Sequence, residues 1–190
     1  MHLEEFYKEL SYISALRENR MKFANMVLAD MRLFPKLITI LFMVDDKVSC
    51  KAAWVLEFVC AKNLYAIVPY LDEFTRNLNK IRFDSAVRPV AKVCEFMATH
   101  YSSKNSNGLK EALSTTHKAC IVEACFDWMI SDYKVASKVY AMGTLCLFGN
   151  EIDWIHPELT LILEQDFPNQ SAGFKSRAKR TLQKIRKNKA

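Results

Sequence analysis

The sequence predicts an all-α protein, and three observations carry that reading. Apolar residues recur at a period near 3.6 almost from end to end, and alternating period-2 patterns are hard to find. Gly and Pro number only 4 and 5, too few for the turn-dense chain of an all-β fold. The helical pieces also repeat a common skeleton. A chain of 190 residues that is 51% hydrophobic is too apolar to be disordered and long enough to hold one domain with a real core.

The elements divide into five helix pairs. Residues 3–32 form a degenerate first pair, with residues 20–28 as its second helix. The second pair, 34–62, opens on Pro35-Lys36-Leu37, turns at Asp45 and Asp46, and continues through Lys51-Ala52-Ala53-Trp54. The third, 66–101, opens on Pro69-Tyr70-Leu71, turns at Asp84, and continues through Arg88-x-x-Ala91. Ser102-Ser103-Lys104-Asn105-Ser106-Asn107-Gly108 then reads as an inserted polar loop over 102–109. The fourth pair, 111–148, lacks the opening Pro and starts at Ser114 or before; it turns at Asp132 and runs through Lys138-x-x-Ala141-x-x-x-Leu145. The fifth, 155–187, opens on Pro157-Glu158-Leu159, turns near Asn169 and Ser171, and ends in Lys175-x-x-Ala178-x-x-x-Leu182. Pro suits a first helical turn, where its missing N–H has no intrahelical partner to lose. The basic residues of the second helices lie 37, 50 and 37 positions apart, and removing the polar insertion returns the long interval to the same period.

Val87-Arg88-Pro89-Val90-Ala91 fits best a second-helix run of the HEAT/armadillo-like α-solenoids, which the chain resembles over residues 34–187. The resemblance implies a right-handed α-α superhelix of antiparallel helix pairs, each covering the apolar side of its neighbour. Ala53, Ala91, Ala141 and Ala178 would let helices approach closely, and the basic residues beside the Asp-bearing turns would form a ladder of ion pairs between units. The helix at 172–187 is expected to cap the array, with Phe174, Ala178, Leu182 and Ile185 as its docked stripe.

The charge is unevenly placed. The last 20 residues hold Lys175, Arg177, Lys179, Arg180, Lys184, Arg186, Lys187 and Lys189 and no acid. The remaining 19 basic residues face 21 acidic ones, a net charge of −2 over residues 1–170. The six cysteines, Cys50, Cys60, Cys94, Cys120, Cys125 and Cys146, sit in apolar helical patterns without a C-x-x-C pair, as buried reduced thiols of a cytoplasmic protein would. The longest uncharged apolar stretch, 139–150, is too short to span a membrane, and Glu4, Glu5 and Glu9 are unlike a secretory signal.

Catalytic constellations are not evident. No Gly-rich phosphate loop, Gly-x-Ser-x-Gly elbow or His-Glu-x-x-His helix occurs, and no cofactor is predicted. His117 near Cys120 and Cys125 is too few ligands for a metal. Asp45/Asp46, Asp72/Glu73 and Glu123/Asp127 read as turn and surface acids. The reading that follows is a non-enzymatic interaction or scaffold module for a protein or peptide partner. Its candidate surface is Lys51, Trp54, Arg88, Lys92, Asp127, Trp128 and Lys138. The alternative is nucleic-acid binding that resembles the HEAT-like glycosylases of alkylated DNA, using Asp127, Trp128 and Trp54 at a base and the basic helix, Lys175 to Lys187, on phosphates. An enzyme such as an adenylosuccinate lyase ranks last: residues 102–107 are similar to that superfamily's serine loop only in the paired serines, without its Met-Pro.

Overall fold

In a computed structural model that describes residues 1–188, the chain is all-α, with eleven α-helices and short 3₁₀ turns and no strand among the described residues. The helices are α1 (Leu3–Ser11), α2 (Arg17–Ala29), α3 (Phe34–Leu41), α4 (Val48–Lys62), α5 (Leu71–Arg76), α6 (Asp84–Tyr101), α7 (Gly108–Ala112), α8 (Thr115–Ile130), α9 (Val135–Phe148), α10 (Ile155–Asp166) and α11 (Ala172–Asn188).

Local chemistry sets most of these boundaries. Pro35 and Pro157 lie in the first turns of α3 and α10. Ser114 caps α8 in a capping box with His117, each side chain bonding the other's backbone N–H. Asp46 accepts from the Val48 N–H at 2.8 Å at the start of α4. Two expected boundaries shift. Pro69 does not open an α-helix: it lies inside a 3₁₀ segment, Leu64–Tyr70, and α5 starts only at Leu71. The residue before a proline is disfavoured in α geometry, which holds Val68 out of a regular helix. The inserted loop is also shorter than 102–109, because Asn107 caps α7 from Gly108 onward.

Five helices form a row in which each packs on the next: α2 on α4, α4 on α6, α6 on α9, and α9 on α11. The others lie against this row. α1 and α3 pack on α4, α8 and α10 pack on α9, and α5 packs on α8. Ala53, Ala91, Ala141 and Ala178, one from each of four row helices, are fully buried. Close approach at such small residues lets Leu56, Val87, Val90, Met142 and Leu145 fill the space between layers. Phe174, Ala178 and Ile185 dock α11, with Leu182 partly buried at the edge.

A ladder of turn contacts exists, but it uses different cations from those the repeated motif suggested. Arg82 reaches back to Asp45 at 3.1 Å, and Lys134 pairs with Asp84 at 3.3 Å while its backbone N–H donates to the same carboxylate. Arg88 bonds Glu57 instead, Lys51 donates to the Ser11 carbonyl, and Lys175 donates to the Pro168 carbonyl. Lys138 is 9% exposed with no carboxylate partner among the described residues. None of these four pairs with a turn aspartate among the described residues. No single described helix is long and apolar enough to cross a membrane.

Candidate functional site

The five row helices share one face on which partly exposed side chains link each helix to the next. On α2, the Arg20 guanidinium lies 5.8 Å from the Trp54 ring and 5.4 Å from the Phe58 ring, and Arg17 lies 5.5 Å from Phe58. On the next step, Glu57 of α4 accepts from Arg88 of α6 at 2.6 Å. Lys92 of α6 bonds Glu95 at 2.7 Å and sits 4.8 Å from Phe96 and 4.6 Å from Tyr140 of α9. Glu95 also accepts from Arg177 of α11 at 2.6 Å. Cation–π and charge-assisted contacts therefore alternate along a continuous strip from α2 to α11.

Trp54 has a second task in this strip. Pro89 lies inside α6 and has no N–H, so the Ser85 carbonyl four residues earlier loses its helical donor. The Trp54 Nε1–H donates to that carbonyl at 2.9 Å. The indole thus repairs a gap in a neighbouring helix and ties α4 to α6.

Positive charge dominates the strip. Glu57 and Glu95 are the carboxylates seated on it, and they engage Arg88, Lys92 and Arg177. Arg17, Arg20, Lys51, Arg180 and Lys184 have no carboxylate partner among the described residues. Two clefts open beside it. One, of about 630 Å³, lies at the Asp-turn end and is lined by Lys47, Lys51, Trp54, Phe83, Asp84, Tyr133 and their neighbours. The other, of about 620 Å³, lies between α6, α9 and α11, with Glu95 and Gly143 on its inner side and Arg177, Arg180 and Lys184 along α11. Gly143 leaves room for the Glu95–Arg177 pair: a Cβ there would collide with the Glu95 carboxylate.

The predicted residues divide accordingly. Lys51 and Trp54 line the first cleft, Arg88 and Lys92 lie on the strip, and Lys138 is largely buried in α9. Trp128 is corrected: at 2% exposure it is a core residue of α8, because its large apolar ring fills the space under that helix. Asp127 is exposed on α8, which is not one of the row helices. The Asp127-Trp128 pair therefore offers no base-reading pocket on the strip. Among the C-terminal cations, Arg177, Arg180 and Lys184 line the groove. Lys175 and Lys179 lie over the Phe167 ring, Arg186 approaches Glu164 at 3.7 Å, and Lys187 is exposed. Lys189 is outside the described residues. Sequence reasoning missed Arg17, Arg20, Glu57, Glu95 and Tyr140. For all but Tyr140, whose partner Lys92 lies on another helix, the signal was available as charged and aromatic side chains three apart on one helix: Arg17 and Arg20, Trp54 and Glu57, Lys92 and Glu95.

Elsewhere, titratable groups are spent on structure. His117 Nδ1 accepts the Ser114 N–H at 3.2 Å while Nε2 meets Asp72 at 3.0 Å, and that bond holds the Asp72 carboxyl below its ordinary range. Burial pushes the Cys60, Cys94 and Cys125 thiols up, which suppresses the reactive thiolate. Among the described residues no group of three His, Cys, Asp or Glu side chains could hold a metal ion. Comparison with protein-family models, with curated proteins and with solved structures gave no match.

Proposed function

We propose that this chain is a non-enzymatic interaction module of the HEAT/armadillo-like kind. Its helix pairs would stack as a right-handed superhelix, and the face built from α2, α4, α6, α9 and α11 would hold a protein partner. The observation that carries this reading is the strip of partly exposed charged and aromatic side chains along that face, from Arg17 to Arg177. Arg, Trp and Tyr are the side chains that concentrate binding energy at interfaces. The helices beneath hold them in place, so little conformational freedom is lost on binding.

The test is affinity purification from native lysate with three forms of the chain. Wild type is expected to retain a stoichiometric partner. Arg17→Glu/Lys47→Glu, on the strip and the cleft beside it, is expected to lose it. Glu123→Lys/Asp127→Lys, on α8, is expected to keep it. A chain that stays alone, or a partner lost through the α8 variant and not the strip variant, overturns the reading.

One observation favours a second reading, nucleic-acid binding: Arg180, Lys184 and Lys187 project from α11 without described carboxylate partners. Gel shifts on duplex DNA at low and moderate salt, full length against a chain ending at residue 170, decide it. Phosphate binding predicts a shift at low salt that the truncation abolishes.

A further inference from the structure

The geometry points to the groove between α9 and α11 as the seat of an acidic, extended segment of the partner, with alternate carboxylates on Arg180 and Lys184. This deepens the interaction-module reading and rests on it. Arg177, Arg180 and Lys184 lie along one side of the groove, at successive turns of α11. Arg177 is already engaged by Glu95, so one guanidinium of this wall is seen taking a carboxylate. Arg180 and Lys184 are exposed and hold none among the described residues. Four residues of helix separate these two cations by about 6 Å along the axis. Side chains on one face of an extended peptide recur about every 6.6–6.8 Å. Two acidic residues separated by one neutral residue therefore match the pair in spacing and in sign. The groove is continuous with the strip through Glu95, so a segment seated there runs onto Lys92 and Tyr140.

Nucleic acid fits the same cations less well. The strip's aromatic faces are covered by its own side chains, Arg20 over Trp54 and Phe58, Lys92 over Phe96 and Tyr140. Rings already partnered in this way are poorer stacking platforms than the bare aromatics that single strands use.

The probe is a fluorescein-labelled (Glu-Ser)5 peptide, read by anisotropy with the full chain at low and moderate salt. It is expected to bind, and (Gln-Ser)5 is not. Arg180→Glu/Lys184→Glu is expected to weaken binding at least tenfold. Lys8→Glu/Lys104→Glu, which changes net charge equally on exposed positions away from the groove, is expected to leave it within twofold. Both variants alter exposed side chains, and matching circular dichroism melts confirm that they fold. Absent binding, equal weakening in the two variants, or tighter binding of a labelled DNA duplex at the same salt each overturns the proposal. If the peptide fails while the lysate partner still depends on Arg17 and Lys47, the acidic segment is wrong and the interaction module stands. If both fail, the module itself is wrong.

Discussion

Two glycines show how the same substitution diverges with its surroundings. Gly143 lies within α9 and Gly149 caps its end. A Cβ at position 143 collides with the Glu95 carboxylate and the Arg177 guanidinium, both free ends of long side chains that can move aside. A Cβ at position 149 collides with the His156 ring, which is buried and hydrogen-bonded to the Cys146 carbonyl at 3.0 Å. Gly143→Ala also gains helix propensity of about 1 kcal/mol, so its stability is expected to stay within about 1 kcal/mol of wild type while the Glu95–Arg177 pair breaks. Gly149→Ala has no such relief and is expected to cost about 1–3 kcal/mol by overpacking. Urea midpoints measure both; equal losses would contradict the difference in mobility. A second residue-scale effect is pH dependence. Lys118, with a side chain only 5% exposed, donates to Glu151 and to Tyr101, and Tyr101 donates to Glu151 at 2.7 Å. The bonds from Lys118 and then Tyr101 hold the Glu151 carboxyl below its ordinary 4.5. A lowered folded value means the contribution is whole above that ordinary value and is lost as pH falls through the folded one. Wild type is therefore expected to lose more stability than Glu151→Gln between about pH 5 and pH 3. Parallel urea titrations that show equal acid losses would remove Glu151 from the account.

At the scale of elements, α4 and α6 are joined by a trade between proline and indole. Pro89 removes one helical hydrogen bond and Trp54 supplies the donor from another helix. Trp54→Phe is expected to cost about 0.5–1.5 kcal/mol in wild type. In a Pro89→Ala background the restored N–H can bond Ser85 itself, so the same change is expected to cost less than half as much. A double-mutant cycle by urea denaturation checks this, and additive effects would show that the two groups are uncoupled. The element scale also shows what the sequence could reveal. Helix starts at Pro35, Ser114 and Pro157 were legible because prolines and caps act on their own turn. The Trp54–Ser85 bond was not, because it requires knowing which carbonyl Pro89 frees and which side chain faces it. Nor was the fate of Asp127-Trp128, since an amphipathic helix does not say which of its aromatic residues meets the core. Arg88 and Lys51 were placed in a ladder by their spacing alone; the carboxylates and carbonyls that claim them lie on other helices.

At the scale of the whole molecule, the row α2, α4, α6, α9, α11 is built from contacts between neighbours. The all-α class was legible from periodicity, because burying one stripe per helix is a local requirement. Order along the row was legible only through the repeated skeleton, and the strip's charge balance only after Glu57 and Glu95 took their places. The proposed stacking of helix pairs has a thermodynamic consequence: it predicts that a terminal unit can be removed without dismantling the rest. Cutting after the exposed Asp153 removes α10 and α11, 37 of 190 residues, and leaves the Lys118–Tyr101–Glu151 network intact. The shortened chain is expected to unfold cooperatively, with less stability and a urea m-value reduced by about one fifth, in proportion to the surface no longer exposed on unfolding. It also loses the docked stripe of α11, Phe174, Ala178 and Ile185, and uncovers the part of α9 beneath it, so binding of an apolar dye should rise. A single core shared by all eleven helices would give a different result, because removing α11 would then empty its centre. Loss of the cooperative transition in the shortened chain would mean the layers depend on one another throughout, and would set aside the stacked-pair architecture on which the proposed partner face depends.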